Sequence, residues 1–316
     1  SVLFGRNELG GDLGHGYRLR GGLFVTPDRS FGLEAEWFQL LGLDDSFNAA
    51  GDGSSIIARP FFDVTTGQES SQLISFPGLV AGNVGVASDT DFDSLLINGR
   101  VALCPISCDR CSGEESDRFD WLIGFRHVGL DDNLTIAEDV RGIATNAPQG
   151  RITATDSFNS RNDFIGLQLG FAHRAFFRRI WLETTTRVAI GNNHREVSIN
   201  GSTTSVLNGV TTNHSSGIFA QRSNIGVYQD DAFVMIPELG ITLGVRITDS
   251  LHATLGYNVV YFPNVLRAQD QIDTDLNPNL FPPEANPFSG ALRPRYLARE
   301  SDFYAHGLTL GAQLVF

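Results

Sequence analysis

The feature that most constrains this chain is a two-residue alternation that recurs along its length. In the last eleven residues, Leu308, Leu310, Ala312, Leu314 and Phe316 share one face, and Gly307, Thr309, Gly311 and Gln313 share the other. Successive strand side chains point to opposite faces, so this segment reads as a half-apolar β-strand. Phe31, Leu33, Ala35 and Trp37 alternate with Gly32, Glu34 and Glu36 in the same way. So do Leu95, Ile97 and Val101 with Asn98 and Arg100, and Phe119, Trp121, Ile123 and Phe125 with Asp120 and Arg126. Further copies centre on Tyr17–Leu23, Ile165–Phe171, Ile180–Ile190, Leu239–Val245 and Leu251–Val259, about nine strands in all. Helical spacing fits these segments poorly.

A soluble sandwich would put its apolar face in a core and its polar face in water. Here the polar face is rich in Gly with scattered Glu, Arg and Gln, and the aromatics of the apolar face gather towards strand ends. That distribution fits a barrel with lipid outside, a polar lumen inside and aromatic girdles at both interfaces. The expected class is therefore all-β: an antiparallel transmembrane β-barrel spanning 1–316 as one domain. At 41% hydrophobic residues the chain is too apolar for disorder. It contains no apolar run approaching 18 residues, so no transmembrane helix is expected.

Connections alternate between short (26–30, 105–118, 173–178, 248–250) and long (41–93, 130–162, 191–231, 263–302). Membrane barrels have short periplasmic turns and long extracellular loops, which orients the chain in a bacterial outer membrane. On that assignment the Tyr17 strand and the last strand both run towards the periplasm. A closed antiparallel barrel needs first and last strands of opposite direction. The expectation is an upward strand before Ser1, giving about ten strands in the full protein.

With the strands laid out, the chain resembles a planctomycete-type family of outer-membrane beta-barrel porins, related to pore-forming major outer-membrane proteins. The resembling segments are ARPFFDV (58–64), DWLIGFRHVGLDDNLTI (120–136), SRNDFIGLQLG (160–170), SNIGVYQDDAFVMIPELGITLG (223–244), LGYNVVYFPNVLRAQDQIDTDLNPN (255–279) and SDFYAHGLTLGAQLVF (301–316). They cover nearly the whole chain and carry no catalytic signature. The resemblance implies a pore, and an aromatic-rich strand ahead of the SVLFG segment.

The lumen-lining candidates are Arg18, Arg20, Glu34, Glu36, Asn98, Arg100, Asp120, Arg126, Gln168, Glu183, Arg187, Glu238, Thr242, Arg246, Thr254 and Asn258. Both signs of charge are present. A ring of one sign would point to ion selectivity, whereas mixed Glu and Arg in a narrow barrel point to paired networks that fill the interior. Two readings follow: porin-like passive diffusion of small hydrophilic solutes, or a structural or surface-interaction barrel with a closed lumen. An outer-membrane hydrolase is a distant third, resting on His127 and His306 near a rim. No metalloprotease, nucleophile-elbow or P-loop motif occurs, so no catalytic residue and no enzyme activity is expected.

No cofactor is expected, with calcium on the alternating Asp89, Asp91 and Asp93 the one candidate ligand, since clustered carboxylates suit that ion. Cys104, Cys108 and Cys111 are disulfide candidates in an oxidising periplasm. Phe316 is the candidate C-terminal assembly signal. Asn133, Asn200 and Asn213 open N-x-S/T triplets that read as chance matches in polar segments. The net charge of −13 speaks against nucleic acid. Expected partners are outer-membrane lipid and either further copies of the chain or other envelope proteins.

Overall fold

A computed structural model describes residues 14–103, 117–144 and 150–315. In chain order its strands are β1 (His15–Phe24), β2 (Phe31–Leu41), β3 (Asp45–Gly51), β4 (Ile57–Asp63) and β5 (Gln68–Ser75). Then come β6 (Val80–Ala102), β7 (Arg118–Gly142), β8 (Gly150–Phe177), β9 (Ile180–Leu207) and β10 (Val210–His214). The last are β11 (Gly226–Arg246), β12 (Leu251–Leu266), β13 (Asp275–Leu276) and β14 (Glu300–Leu314). The main sheet follows the path β1-β2-β6-β7-β8-β9-β11-β12-β14, with every neighbouring pair antiparallel. That is the all-β antiparallel wall read from the alternation. β1 and β14 run in the same direction, and among the described residues each is paired on one side only. The further strand is expected ahead of Ser1; residues 1–13 lie outside the described residues, as do Cys104, Cys108, Cys111 and Phe316.

The strands are far longer than a membrane requires. β8 and β9 each have 28 residues, whereas a tilted strand crosses a bilayer in ~9–11. The surplus lies at the long-loop end. Three of the expected long loops, 41–93, 130–162 and 191–231, are therefore substantially strand. β7 runs on to Gly142 and β8 begins at Gly150, paired without interruption from Arg118↔Arg174 to Arg141↔Arg151. Ser, Thr, Asn and Asp in these stretches look like turn residues. Here they are positions of regular strands, some facing water and others, such as Asp132, Asp156 and Asn162, buried on the inner face. Residues 191–231 do contain an extra hairpin, turned by Asn208 (φ 51°) and Gly209 (φ 79°). Both central residues have positive φ, as a tight two-residue hairpin turn demands. Its return strand β10 pairs only with the tip of β9, so it adds nothing to the sequence of wall strands.

Along each long strand the polarity of the two faces inverts. Near the short-turn end the outward positions are apolar and exposed: Trp121, Ile123 and Phe125 on β7, and Ile165, Leu167 and Leu169 on β8. Beyond this band the outward positions become polar, and the apolar positions move inside. On β7, Val128, Leu130, Leu134 and Ile136 are buried; on β8, Phe158 and Phe164 are buried. The switch is a slip of the hydrophobic pattern by one residue, from odd to even positions, with no bulge in the β7–β8 register. The solvent explains it: lipid surrounds the lower wall and water the upper wall.

The long connections fold back into the mouth of this wall. β4 pairs with β5 and, in parallel, with the two-residue β13, forming a second sheet. Phe61 and Ile74 from this sheet, Ile218 and Phe219 from the connection before β11, and Leu266 and Leu276 join wall residues Leu134, Ile136, Phe158, Val197 and Ile199 in one apolar core. These inserted segments, the cork, pack against the inner face of the upper wall.

Candidate functional site

The inward face of the lower wall carries the candidate site. Because inward positions recur every second residue, each strand contributes a row of side chains to one enclosed space. Arg20 of β1 pairs with Glu34 of β2 at 2.6 Å and reaches Glu183 of β9 at 2.7 Å. Arg100 of β6 pairs with Glu34 at 2.7 Å and with Asp120 of β7 at 3.0 Å. Arg126 of β7 meets Glu238 of β11 at 2.6 Å. Arg18 of β1 contacts Glu36 of β2 at 3.2 Å and donates to Asn258 of β12 at 2.9 Å. Contacts between strands so far apart in the sheet require it to roll up around this network.

Arg187 of β9 is the centre. It is fully buried and touches Glu34 and Glu36 of β2 at 3.2 and 3.4 Å and Glu238 of β11 at 3.3 Å. Every basic residue of the chain other than its histidines is arginine. A planar guanidinium with five donors can serve several carboxylates at once, which an ammonium does less well. The glycines of the inward face make room for these stems. A Cβ on Gly170 would lie 2.8 Å from the Thr186 carbonyl oxygen and 3.0 Å from Cγ of Arg187.

Most of the lumen candidates lie on this face. Asn98 and Gln168 are buried and joined by a 2.9 Å hydrogen bond from Gln168 Nε2 to Asn98 Oδ1. Thr242 and Thr254 are half-buried below the network. Arg246 departs from the expectation: it is exposed at the short-turn end of β11, where its backbone N–H bonds Arg179. The strand has run out of the enclosed space by that point. Two members were not singled out from sequence. Arg174 binds Glu183 at 2.8 Å and Arg118 binds Asp120 at 2.9 Å. Both sit at even positions of β8 and β7, in phase with Gln168 and Asp120, so the alternation could have found them.

Directly above the network lies an apolar layer that sequence reading missed. Phe92, Val128, Leu130, Phe164, Ala189, Val234, Ile236, Val260 and Phe262 are buried together from six wall strands. Phe92 of β6 packs against Phe303 of β14, ring centroids 5.1 Å apart, and against Phe38 of β2 at 6.0 Å. Phe38 and Phe262 therefore face the interior, whereas their neighbours Trp37 and Tyr261 point outward. The signal was present as the slip in hydrophobic phase.

Above that layer, Arg59 of β4 ties the cork to the wall through Glu138 at 2.5 Å and Asp156 at 3.8 Å. Asp156 Oδ1 also accepts from the backbone N–H groups of Ile218, Phe219 and Ala220 at 2.8, 3.0 and 2.8 Å. Burial pushes both carboxyls above their usual range, against the lowering effect of Arg59. Asp89, Asp91 and Asp93 project from the outer face of β6. Burial, then repulsion from Asp89, Asp44 and Asp93, raises the Asp91 carboxyl. Alternate positions on one strand stand ~6–7 Å apart, and no metal-holding group of three or more His, Cys, Asp or Glu forms among the described residues. His127 Nε2 lies 2.7 Å from Asp163, and His306 Nδ1 lies 3.2 Å from the Tyr257 hydroxyl, so their ring contacts are with a carboxylate and a phenol rather than a serine. The triplets at Asn133 and Asn200 fall on wall strands β7 and β9, where the alternation sets Asn and Thr or Ser on one face, whereas Asn213 lies on β10 and Ser215 just past its end.

Comparison with curated proteins and with solved structures finds no match to this chain. A family profile described as Putative beta barrel porin-7 (BBP7) matches residues 1–316. A porin family implies an outer-membrane location and suggests a channel.

Proposed function

Starting from a chain that belongs to the Putative beta barrel porin-7 family, we propose that it stands in the outer membrane as a closed structural barrel. Its long-loop end faces outward, and its work lies in the rigid extension held above the membrane. The observation that carries this reading is the stack inside the wall: Arg187 bridging β2, β9 and β11, with an apolar layer packed on it and a cork above. Hydrated ions do not pass a close-packed apolar layer, and wall side chains fill the interior of narrow barrels. Both layers are built by the wall itself, so opening them means moving strands.

Family membership supports a second reading, passive diffusion of small hydrophilic solutes, for which the network would serve as a narrow filter. Single-channel recording in a planar bilayer separates the two. The closed barrel gives no steps with the folded wild-type chain at any salt concentration. Stable steps that scale with salt would overturn it and leave diffusion standing.

A further inference from the structure

We propose that the short-turn end of the inward face is a binding site for a small, doubly charged oxyanion of the phosphate and sulfate kind. The observation that carries it is an imbalance of charge. Five inward guanidiniums, those of Arg20, Arg100, Arg118, Arg174 and Arg246, face three carboxylates, Glu34, Asp120 and Glu183. Each carboxylate is already shared. Glu34 serves Arg20 and Arg100, and Asp120 serves Arg100 and Arg118. Glu183 serves Arg20, Arg100 and Arg174 at 2.7, 3.5 and 2.8 Å. Arg246 has no ion pair among the described residues. The inward charges above this group lend no spare carboxylate, because Glu36 and Glu238 answer Arg18, Arg126 and Arg187. Among the described residues of the surrounding turns, Arg29, Arg178 and Arg179 are balanced by Asp28, Asp117 and Asp249.

The cations are arranged as an arc. Arg118 and Arg174 stand directly opposite each other in the β7–β8 register, a placement in which like charges repel. The Arg174 guanidinium lies 4.3 Å over the Trp181 ring, and Trp181 Nε1 donates to His252 Nδ1 at 3.1 Å. An indole only donates, so the neutral imidazole carries its hydrogen on Nε2 and offers it as a further donor. His252 in turn stands directly opposite Arg246 in the β11–β12 register. The inward positions that follow, Gly256 on β12 and Gly307 and Gly311 on β14, carry no side chain, and a Cβ on Gly307 would meet nothing within 4 Å. Room is thus left beside the arc. Its arginines also keep contact with water: Arg20 and Arg174 are 29% and 21% exposed, against 2% for Arg126 and Arg187. Partly buried cations in excess of their carboxylates favour the entry of a counter-charge. A guanidinium fork matches two oxygens of a tetrahedral oxyanion, and an excess of two positive charges matches a dianion. The net charge of −13 does not oppose this. The acidic outer face begins at Asp91 on β6, nine residues from Arg100. At ~3.3 Å per residue that is roughly 30 Å, about three screening lengths at 0.1 M salt.

This inference rests on the rolled wall and its inward charges, not on whether the lumen conducts. The test is isothermal titration of the folded chain in detergent with sodium sulfate, sodium phosphate and sodium chloride. Sulfate and phosphate should bind saturably, about one per chain, and on the order of tenfold more tightly than chloride. Arg246→Gln removes a cation without breaking an ion pair, so the variant keeps its heat-shifted gel mobility, and its sulfate affinity should fall about tenfold. Arg246→Lys keeps the charge and should recover most of that loss. Arg151→Gln, at the far end of the wall, should bind as the wild type does. The absence of saturable sulfate binding by the folded wild type, or equal affinity in Arg246→Gln, would overturn the proposal; so would a loss in Arg151→Gln as large as that in Arg246→Gln. Because the titration needs no bilayer, its failure is distinct from that of the closed barrel, which channel recording decides.

Discussion

Replacing Arg187 with leucine tests whether the lumen is dry. Arg187 engages three carboxylates, Glu34, Glu36 and Glu238, at 3.2, 3.4 and 3.3 Å, and it is fully buried. At an effective dielectric near 20, one such pair ~4 Å apart contributes about 4 kcal/mol before desolvation is counted. Removing one member of a buried pair costs ~3–5 kcal/mol, chiefly through the charge left behind. Each carboxylate here keeps another guanidinium: Glu34 has Arg20 and Arg100, Glu36 has Arg18, and Glu238 has Arg126. That sharing places the expected loss at the lower end, about 3 kcal/mol, or two powers of ten in the unfolding equilibrium. The assay is urea unfolding in lipid vesicles, followed by tryptophan fluorescence from Trp37, Trp121 and Trp181. Arg151→Leu is the control. That side chain is 62% exposed beside Asp139, and its loss should leave the midpoint unchanged within error. If Arg187→Leu costs less than ~1 kcal/mol, water screens the network and the closed-lumen argument fails.

The cork should respond to pH in a defined direction. Glu138 and Asp156 are held above their usual range by burial, so the folded state binds protons that the unfolded state releases. Stability of the long-loop end should therefore fall as pH rises through the raised values, and acidification should firm it. Hydrogen exchange of residues 216–221 reads this; protection that rises with pH would refute it. Asp156→Ala leaves three N–H groups without their acceptor and should cost at least ~3 kcal/mol locally, whereas Asp156→Asn keeps an acceptor and should flatten the pH profile. On the lipid side, Ile241 is exposed at the middle of the β11 band. Ile241→Arg should cost ~2–4 kcal/mol of folding stability in vesicles, and an unchanged midpoint would show that this face does not meet lipid.

How much was legible depends on how local the information is. The lower band was legible because Trp121, Ile123 and Phe125 need only their own strand to show which way they point. The same periodicity marked Glu34, Glu183 and Arg187 as inward. The upper wall was not legible, because Asp131, Asp132 and Asn133 look like a turn when read locally. They are strand positions at which the outer solvent has changed from lipid to water. The inward Phe92 and Phe164 were hidden for the same reason: an apolar residue out of phase with the band looks like an exception until the inversion is seen.

The sequence by itself determined the class of fold, the alternating direction of most side chains in the lower wall and the presence of both arginine and glutamate on its polar face. Those follow from a two-residue period and from composition, neither of which requires knowing what lies opposite. Only the tertiary structure decided what the interior does. Arg20 lies 163 positions from Glu183, and Arg187 lies 153 from Glu34. Whether such pairs meet is set by the curvature and width of the rolled sheet, which no single strand encodes. A wider barrel with the same inward residues would hold water between them. Here they lie within hydrogen-bonding distance, with an apolar layer packed beside them.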